Sequence, residues 1–166
     1  KIDFINKFTK NDPNPYKLNK IPKNYKLLIS NHQAKSIKKQ LKNVEVNLLI
    51  RKKFFQMYYD GLKDIKEINI PVFEKNDPDA YINFPILYIK RDSLLKYCFI
   101  HKRDLATYFY RNCNELKIYA DYYSPNIDNA KKINRELIIL PTYPTYKESD
   151  VKLNIQCLKN YFNQKN

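Results

Sequence analysis

Few side chains in this sequence are spaced for chemistry. Cys98-x-x-His101 has half the spacing of a zinc site. A structural zinc needs a second pair of ligands, and none follows, so no metal ligand is assigned. His32 is the other histidine. It stands beside a helix start, where it could reach a phosphate, although a solvated imidazole is the simpler reading. Two histidines do not support a Ser/His/Asp arrangement. No pair of carboxylates stands out for acid–base work, and no residue is assigned as catalytic. The chain contains one glycine, Gly61, which excludes a Gly-rich phosphate cradle. The remaining cluster is aromatic. Tyr119, Tyr122 and Tyr123 have rings suited to stacking on a base or a sugar. Tyrosine occurs 15 times, so composition alone accounts for such a cluster.

The elements that must carry these residues are clearer. Leu137-Ile138-Ile139-Leu140 is a short aliphatic run of the kind that forms a buried strand. Pro141 and Pro144 lack backbone donors, so they end the ladder. Glu148 and Asp150 then place negative charge at the start of a final helix. That helix has Val151, Ile155, Leu158 and Phe162 on one face. Further upstream, Ser30 and Gln33 form a capping box ahead of the stripe Ile37, Leu41, Val44, Leu48, Phe55, Tyr58 and Leu62. The stripe predicts one amphipathic helix ending near Gly61, roughly 45 Å long for some 30 residues. A helix of that length needs a partner surface. Residues 81–89 read as a strand, with Pro85 placing it at a sheet edge or a bulge. Asp92 or Ser93 caps a short helix carrying Leu94, Leu95, Cys98 and His101. Residues 105–110 alternate as a strand does, and a short helix lies around Ala130 and Ile133.

Composition bounds the function. With 166 residues, 43% of them hydrophobic, the chain can bury a core and is not a disordered tail. No apolar run approaches the roughly 20 residues that span a bilayer, and no leader opens the chain. Three widely spaced cysteines argue for reduced thiols and a cytoplasmic setting. The net charge of +14 raises nucleic-acid binding as a rival reading. The lysines are spread along the chain, however, and abundant Lys, Asn, Ile and Tyr is what A/T-rich coding produces. The chain begins at Lys1 rather than Met, so it is expected to be a fragment, an excised piece or a processed product.

Leu140-Pro141-Thr142-Tyr143-Pro144 resembles the closing segment of the DegT-type, pyridoxal-phosphate-dependent nucleotide-sugar aminotransferases, where a strand ends in Leu-Pro-x-x-Pro before the last helix. Other segments resemble the same family in the same order. Ser30-Asn31-His32-Gln33-Ala34 is similar to the start of its long helix, and Gln40-Leu41, Arg51, Tyr58 or Tyr59 and Leu62 fit the course of that helix. Pro125-Asn126 with Ala130 is similar to a spacing before the terminal strand. The resemblance spans roughly residues 30–163.

The resemblance implies an α+β fold, in which a long amphipathic helix precedes a small domain with a short, mainly antiparallel sheet packed by helices. That is the C-terminal domain of a fold-type I aminotransferase. It implies residues 1–29 as an irregular lead-in from a missing large domain, 30–62 as an interdomain or dimer helix, and 63–166 as the small domain. It also implies a homodimer, a keto sugar nucleotide as substrate and pyridoxal 5'-phosphate as cofactor. The lysine that binds this cofactor lies upstream in the family, and no lysine here has its Ser/Gly context, so this chain alone is not expected to transaminate. The family's Asn-x-Arg, which reaches the cofactor phosphate, falls on Lys26 and Leu28 without gaps. With a two-residue insertion, Asn24-Tyr25-Lys26 stands in, and Lys26 keeps the charge without the bidentate fork. Asn24 and Lys26 are therefore the cofactor-binding candidates. Tyr122 and Tyr123 are the substrate-binding candidates, since the resemblance puts their loop near the sugar nucleotide. A catalytically inactive interaction module is the alternative.

Overall fold

The computed structural model describes residues 28–70, 72, 79–103, 105–107, 112–123 and 125–164. The chain divides into two compact units. The described part of one comprises 28–30, 112–123 and 125–134; the other covers 31–109 and 135–166, less the undescribed positions.

The larger unit holds helices α1 (Asn31–Leu41), α2 (Val44–Leu62), α3 (Arg91–Ile100) and α5 (Glu148–Asn163), with strands β1 (Asn83–Leu87) and β2 (Leu137–Pro141). Helix α4 (Asp128–Glu136) leads into β2 from the other unit. The strands pair antiparallel, with Asn83 opposite Pro141 and Leu87 opposite Leu137. Phe84 and Ile86 alternate onto the same face as Ile138 and Leu140, and all four are fully buried. They join one core with Phe54, Phe55, Tyr58 and Leu62 of α2 and Val151, Leu158, Tyr161 and Phe162 of α5. Each such side chain contributes about 1.5–3 kcal/mol by leaving water. The α+β class with antiparallel pairing stands as expected.

Pro85 occupies an edge, and the ladder explains why it is harmless. It faces Ile139, whose N–H and C=O bond Ala106 on the opposite side at 2.7 and 3.2 Å. Pro85 and Ile139 thus form a non-hydrogen-bonded pair, so the missing donor removes no ladder bond. Of the expected 105–110 strand, the described residues contain the Ala106–Ile139 bridge; positions 108–110 lie outside them.

Three other expectations change. The continuous 30–62 helix is interrupted at Lys42–Asn43. Asn43, at φ −105° and ψ 4°, donates to Gln40 O at 3.0 Å, tightening the ladder by one residue. Asn is a poor helix former because its amide competes with the backbone. Gly61 does not end the helix, which runs through Leu62 with Lys63 still right-handed. A Cβ on Gly61 would lie 2.7 Å from Cγ2 of Ile155, so a larger residue would have to displace that side chain of α5. Helix α3 begins at Arg91, with Lys90 rather than Asp92 or Ser93 at its N-cap.

The segment entering β1 is tied from two sides. Ile82 O accepts from the Arg51 guanidinium at 3.0 Å and from Thr142 Oγ1 at 2.6 Å. Arg51 interrupts the apolar stripe of the sequence for this reason. Thr142, fully buried behind Pro141, also lies 2.8 Å from Tyr81 O. Among the described residues no helix is long and apolar enough to cross a membrane.

Candidate functional site

Of the predicted site residues, Tyr122 and Tyr123 are among the described ones. Asn24 and Lys26 lie outside the described residues. Tyr122 ends the 3-10 helix Lys117–Tyr122 in the smaller unit, and Tyr123 follows it, donating its N–H to Ala120 O at 3.3 Å. Both rings are exposed, at 81% and 62%, which leaves them available to a ligand without fixing them. Cys98 and His101 separate: Cys98 is fully buried with Sγ 3.9 Å from Cys157 Sγ, while the exposed His101 stacks on Tyr97 and pairs its Nδ1 with Tyr97 O at 2.8 Å.

Polar and aromatic groups do meet in the larger unit, in a surface pocket of about 520 Å³. Its lining includes the apolar residues Ala106, Ile139 and Pro141. Lys102 and Arg103 reach it from the end of α3. There Lys102 adopts φ 59°, Lys102 N–H bonds Phe99 O at 3.0 Å, and Arg103 N–H bonds Cys98 O at 2.8 Å. This is the Schellman pattern, whose left-handed position glycine normally fills. Asp150 comes from the first turn of α5 and pairs with the Arg103 guanidinium at 3.2 Å. Arg103 Nε also donates to its neighbour's carbonyl, Lys102 O, at 2.7 Å. Tyr143 and Tyr146, between β2 and α5, complete the wall, with ring centroids 4.9 Å apart in an edge-on arrangement.

A buried network backs this wall. Asn154, 1% exposed, donates its Nδ2 to Tyr146 Oη and Tyr58 Oη, each at 2.9 Å. Burial pushes both phenols above their ordinary range, and the Asn154 hydrogen bond only partly offsets this. Both tyrosines therefore remain neutral near pH 7 and keep a hydroxyl proton to donate. Beside it, Glu148 bonds Lys53 and Lys152; these hydrogen bonds, Lys53 first, hold its carboxyl below the ordinary carboxylate value.

Sequence reasoning read Asp150 as a helix-dipole residue and Tyr143 as part of a strand stop. It had no signal for Lys102 or Arg103, which lie in a stretch without a motif. The described lysines are exposed except Lys52, which is half-buried with its ammonium 5.8 Å from the Tyr81 ring centroid.

The fold is similar to that of solved aminotransferases. DesV of S. venezuelae, solved in complex with a ketimine intermediate, matches with TM-score 0.71 and 19% identity, over 78% of this chain and 36% of its own. PseC of Helicobacter pylori, an aminotransferase involved in pseudoaminic acid biosynthesis, matches with TM-score 0.63 and 18% identity, over 76% and 35%. NtdA of Bacillus subtilis, solved with bound cofactor PMP, matches with TM-score 0.62 and 15% identity, over 71% and 29%. The chain thus spans about a third of the length of these structures. No curated protein matches the sequence. The sequence model of the DegT/DnrJ/EryC1/StrS aminotransferase family matches residues 6–159, nearly the whole chain, and takes in the Leu-Pro-Thr-Tyr-Pro closing segment. The chain belongs to the DegT/DnrJ/EryC1/StrS aminotransferase family.

Proposed function

We propose that this chain is the C-terminal part of a pyridoxal-phosphate-dependent aminotransferase acting on a keto sugar nucleotide in amino-sugar biosynthesis. The observation that carries the reading is the family match over residues 6–159, on a fold similar to that of sugar aminotransferases. In this reading 1–29 is a lead-in from a large domain, 30–62 the helical connection and 63–166 the small domain. The cofactor would supply the electron sink from the large domain. This chain would provide a wall of the site and a homodimer surface in a cytoplasmic enzyme. Asn24 and Lys26 would meet the cofactor phosphate, and Tyr122 and Tyr123 the sugar nucleotide. The exposed apolar side of α1 and early α2, with Ile37, Leu41 and Val44 each at least 40% exposed, suits a helix that packs on another body.

The test is spectroscopic. A dimeric protein containing this chain and a large domain should develop an absorbance band above about 400 nm with pyridoxal phosphate, as a lysine-bound cofactor does. It should transfer an amino group to a keto sugar nucleotide. Absence of the band in that protein overturns the enzyme reading and favours the second one, an inactive interaction module. The Lys26/Leu28 departure supports that alternative.

A further inference from the structure

Two of the three cysteines meet inside the core of the larger unit. Cys98 of α3 is fully buried, Cys157 of α5 is 8% exposed, and their sulfurs are 3.9 Å apart. The approach is fixed on both sides of the pair. On one side Tyr161 Oη donates to Ser93 Oγ at 3.0 Å, and the Tyr161 ring meets Tyr97 edge-on with centroids 5.1 Å apart. On the other the Arg103 guanidinium holds Asp150 at 3.2 Å. The pairs Ser93–Tyr161, Cys98–Cys157 and Arg103–Asp150 follow in the order that two antiparallel segments give, and the thiols stand in the middle. A disulfide needs its sulfurs about 2.05 Å apart, so the pair must close by about 1.9 Å. Rotation about the two Cα–Cβ bonds supplies movement of that order. Groups held in contact in this way react without a bimolecular encounter.

We infer that Cys98 and Cys157 form a reversible disulfide that staples α3 to α5 when the protein meets a peroxide. Burial raises the Cys157 thiol, and its hydrogen bond with Cys98 and the Arg103 charge partly offset the rise. Burial, with Cys157 adding, pushes Cys98 up to about 12. The reaction therefore starts at Cys157, which is also the more exposed of the two. Its sulfur attacks one peroxide oxygen, the O–O bond breaks, and the departing hydroxide leaves as water with the thiol proton. The Cys98 sulfur then attacks the resulting sulfenic acid. The S–O bond breaks, and a second water leaves with the Cys98 proton. Two thiols are oxidised and one peroxide is reduced to two waters. A reducing compartment keeps both thiols free at rest and reverses the bond afterwards by thiol exchange. The inference does not rest on the proposed transamination, because both thiols and both helices belong to this chain.

The test is hydrogen peroxide treatment of the folded full chain carrying Cys113→Ser, which removes the exposed third thiol. A non-reducing peptide map should join Cys98 to Cys157 with the loss of two hydrogen atoms, and dithiothreitol should undo the bond. The bridge links positions 59 apart in the chain, so the melting temperature should rise by about 5 °C or more. A further Cys157→Ser change should abolish both the bridge and the rise; if it unfolds the chain, the peptide map of the Cys113→Ser protein decides alone. The inference is overturned if both thiols of the folded chain stay unmodified, if they gain oxygen atoms without the bridge, or if the bridge appears only in urea. A bridge that lowers the melting temperature would overturn the staple as well.

Discussion

Gly61 and Ile155 are in such close approach that a Cβ on the glycine would meet Ile155 Cγ2 at 2.7 Å and Cδ1 at 2.9 Å. The contact joins α2 to α5, the two helices that close over the sheet. It explains why the single glycine of the chain is spent inside a helix, where glycine costs about 1 kcal/mol relative to alanine.

Gly61→Ala is therefore expected to destabilise the protein although it improves helix propensity. Overpacking typically costs 1–3 kcal/mol, against about 1 kcal/mol regained. Urea unfolding of Gly61→Ala, Ile155→Ala and the double variant would measure this. The double variant should lose less than the sum of the singles. Strict additivity would show that the two side chains do not collide.

Lys102→Gly should act in the opposite direction. Relief of the left-handed conformation is expected to raise stability by about 1 kcal/mol, seen as a higher melting temperature. A loss of stability would mean that the Lys102 side chain packs in a way that outweighs its backbone strain.

Asn154→Ala removes a buried amide that links Tyr58 and Tyr146. Two hydroxyls then lose a partner, and a small cavity opens. The expected cost is about 2–4 kcal/mol, measured by chemical denaturation. Because Tyr146 lines the pocket, its near-UV circular dichroism signal should change as well. A variant as stable as the parent would remove the network from the account of the core.

Alkaline pH should unfold the chain early. Burial, with Cys157 adding, pushes the Cys98 thiol from 9.0 up to about 12, and burial raises Tyr58 beyond the ordinary phenol range. For a raised folded pKa, the stabilisation is complete below the unfolded value and is lost as pH rises toward the folded one. The window for Cys98 is thus pH 9 to about 12. Each group contributes a slope of about 1.4 kcal/mol per pH unit within its window. Urea midpoints taken at rising pH should fall with that onset. Thiol labelling at about pH 8 gives a companion readout. The exposed Cys113 should react at once, and buried Cys98 and Cys157 only on unfolding. Equal labelling rates would contradict the buried pair.

What the sequence determined by itself was local. The Leu137–Leu140 run, the proline stop and the Val151–Phe162 stripe were legible because strand and helix periods, and the missing donor of proline, act within a few residues. The order of the family segments was legible as a resemblance to the DegT-type family. Tertiary structure decided the rest. Asn43 breaks a helix that the apolar stripe carries straight through, and among the described residues Ile37, Leu41 and Val44 of that stripe are exposed. Pro85 is tolerated because its partner Ile139 bonds the other way. The pocket joins Arg103 to Asp150 across 47 residues, and its backing joins Tyr58 to Asn154 across 96. No short-range spacing rule encodes such pairs. They form when the α2, α3 and α5 faces are buried against one sheet, and that packing alone turned Lys102, Tyr143 and Asp150 from a turn, a stop and a helix start into one cavity.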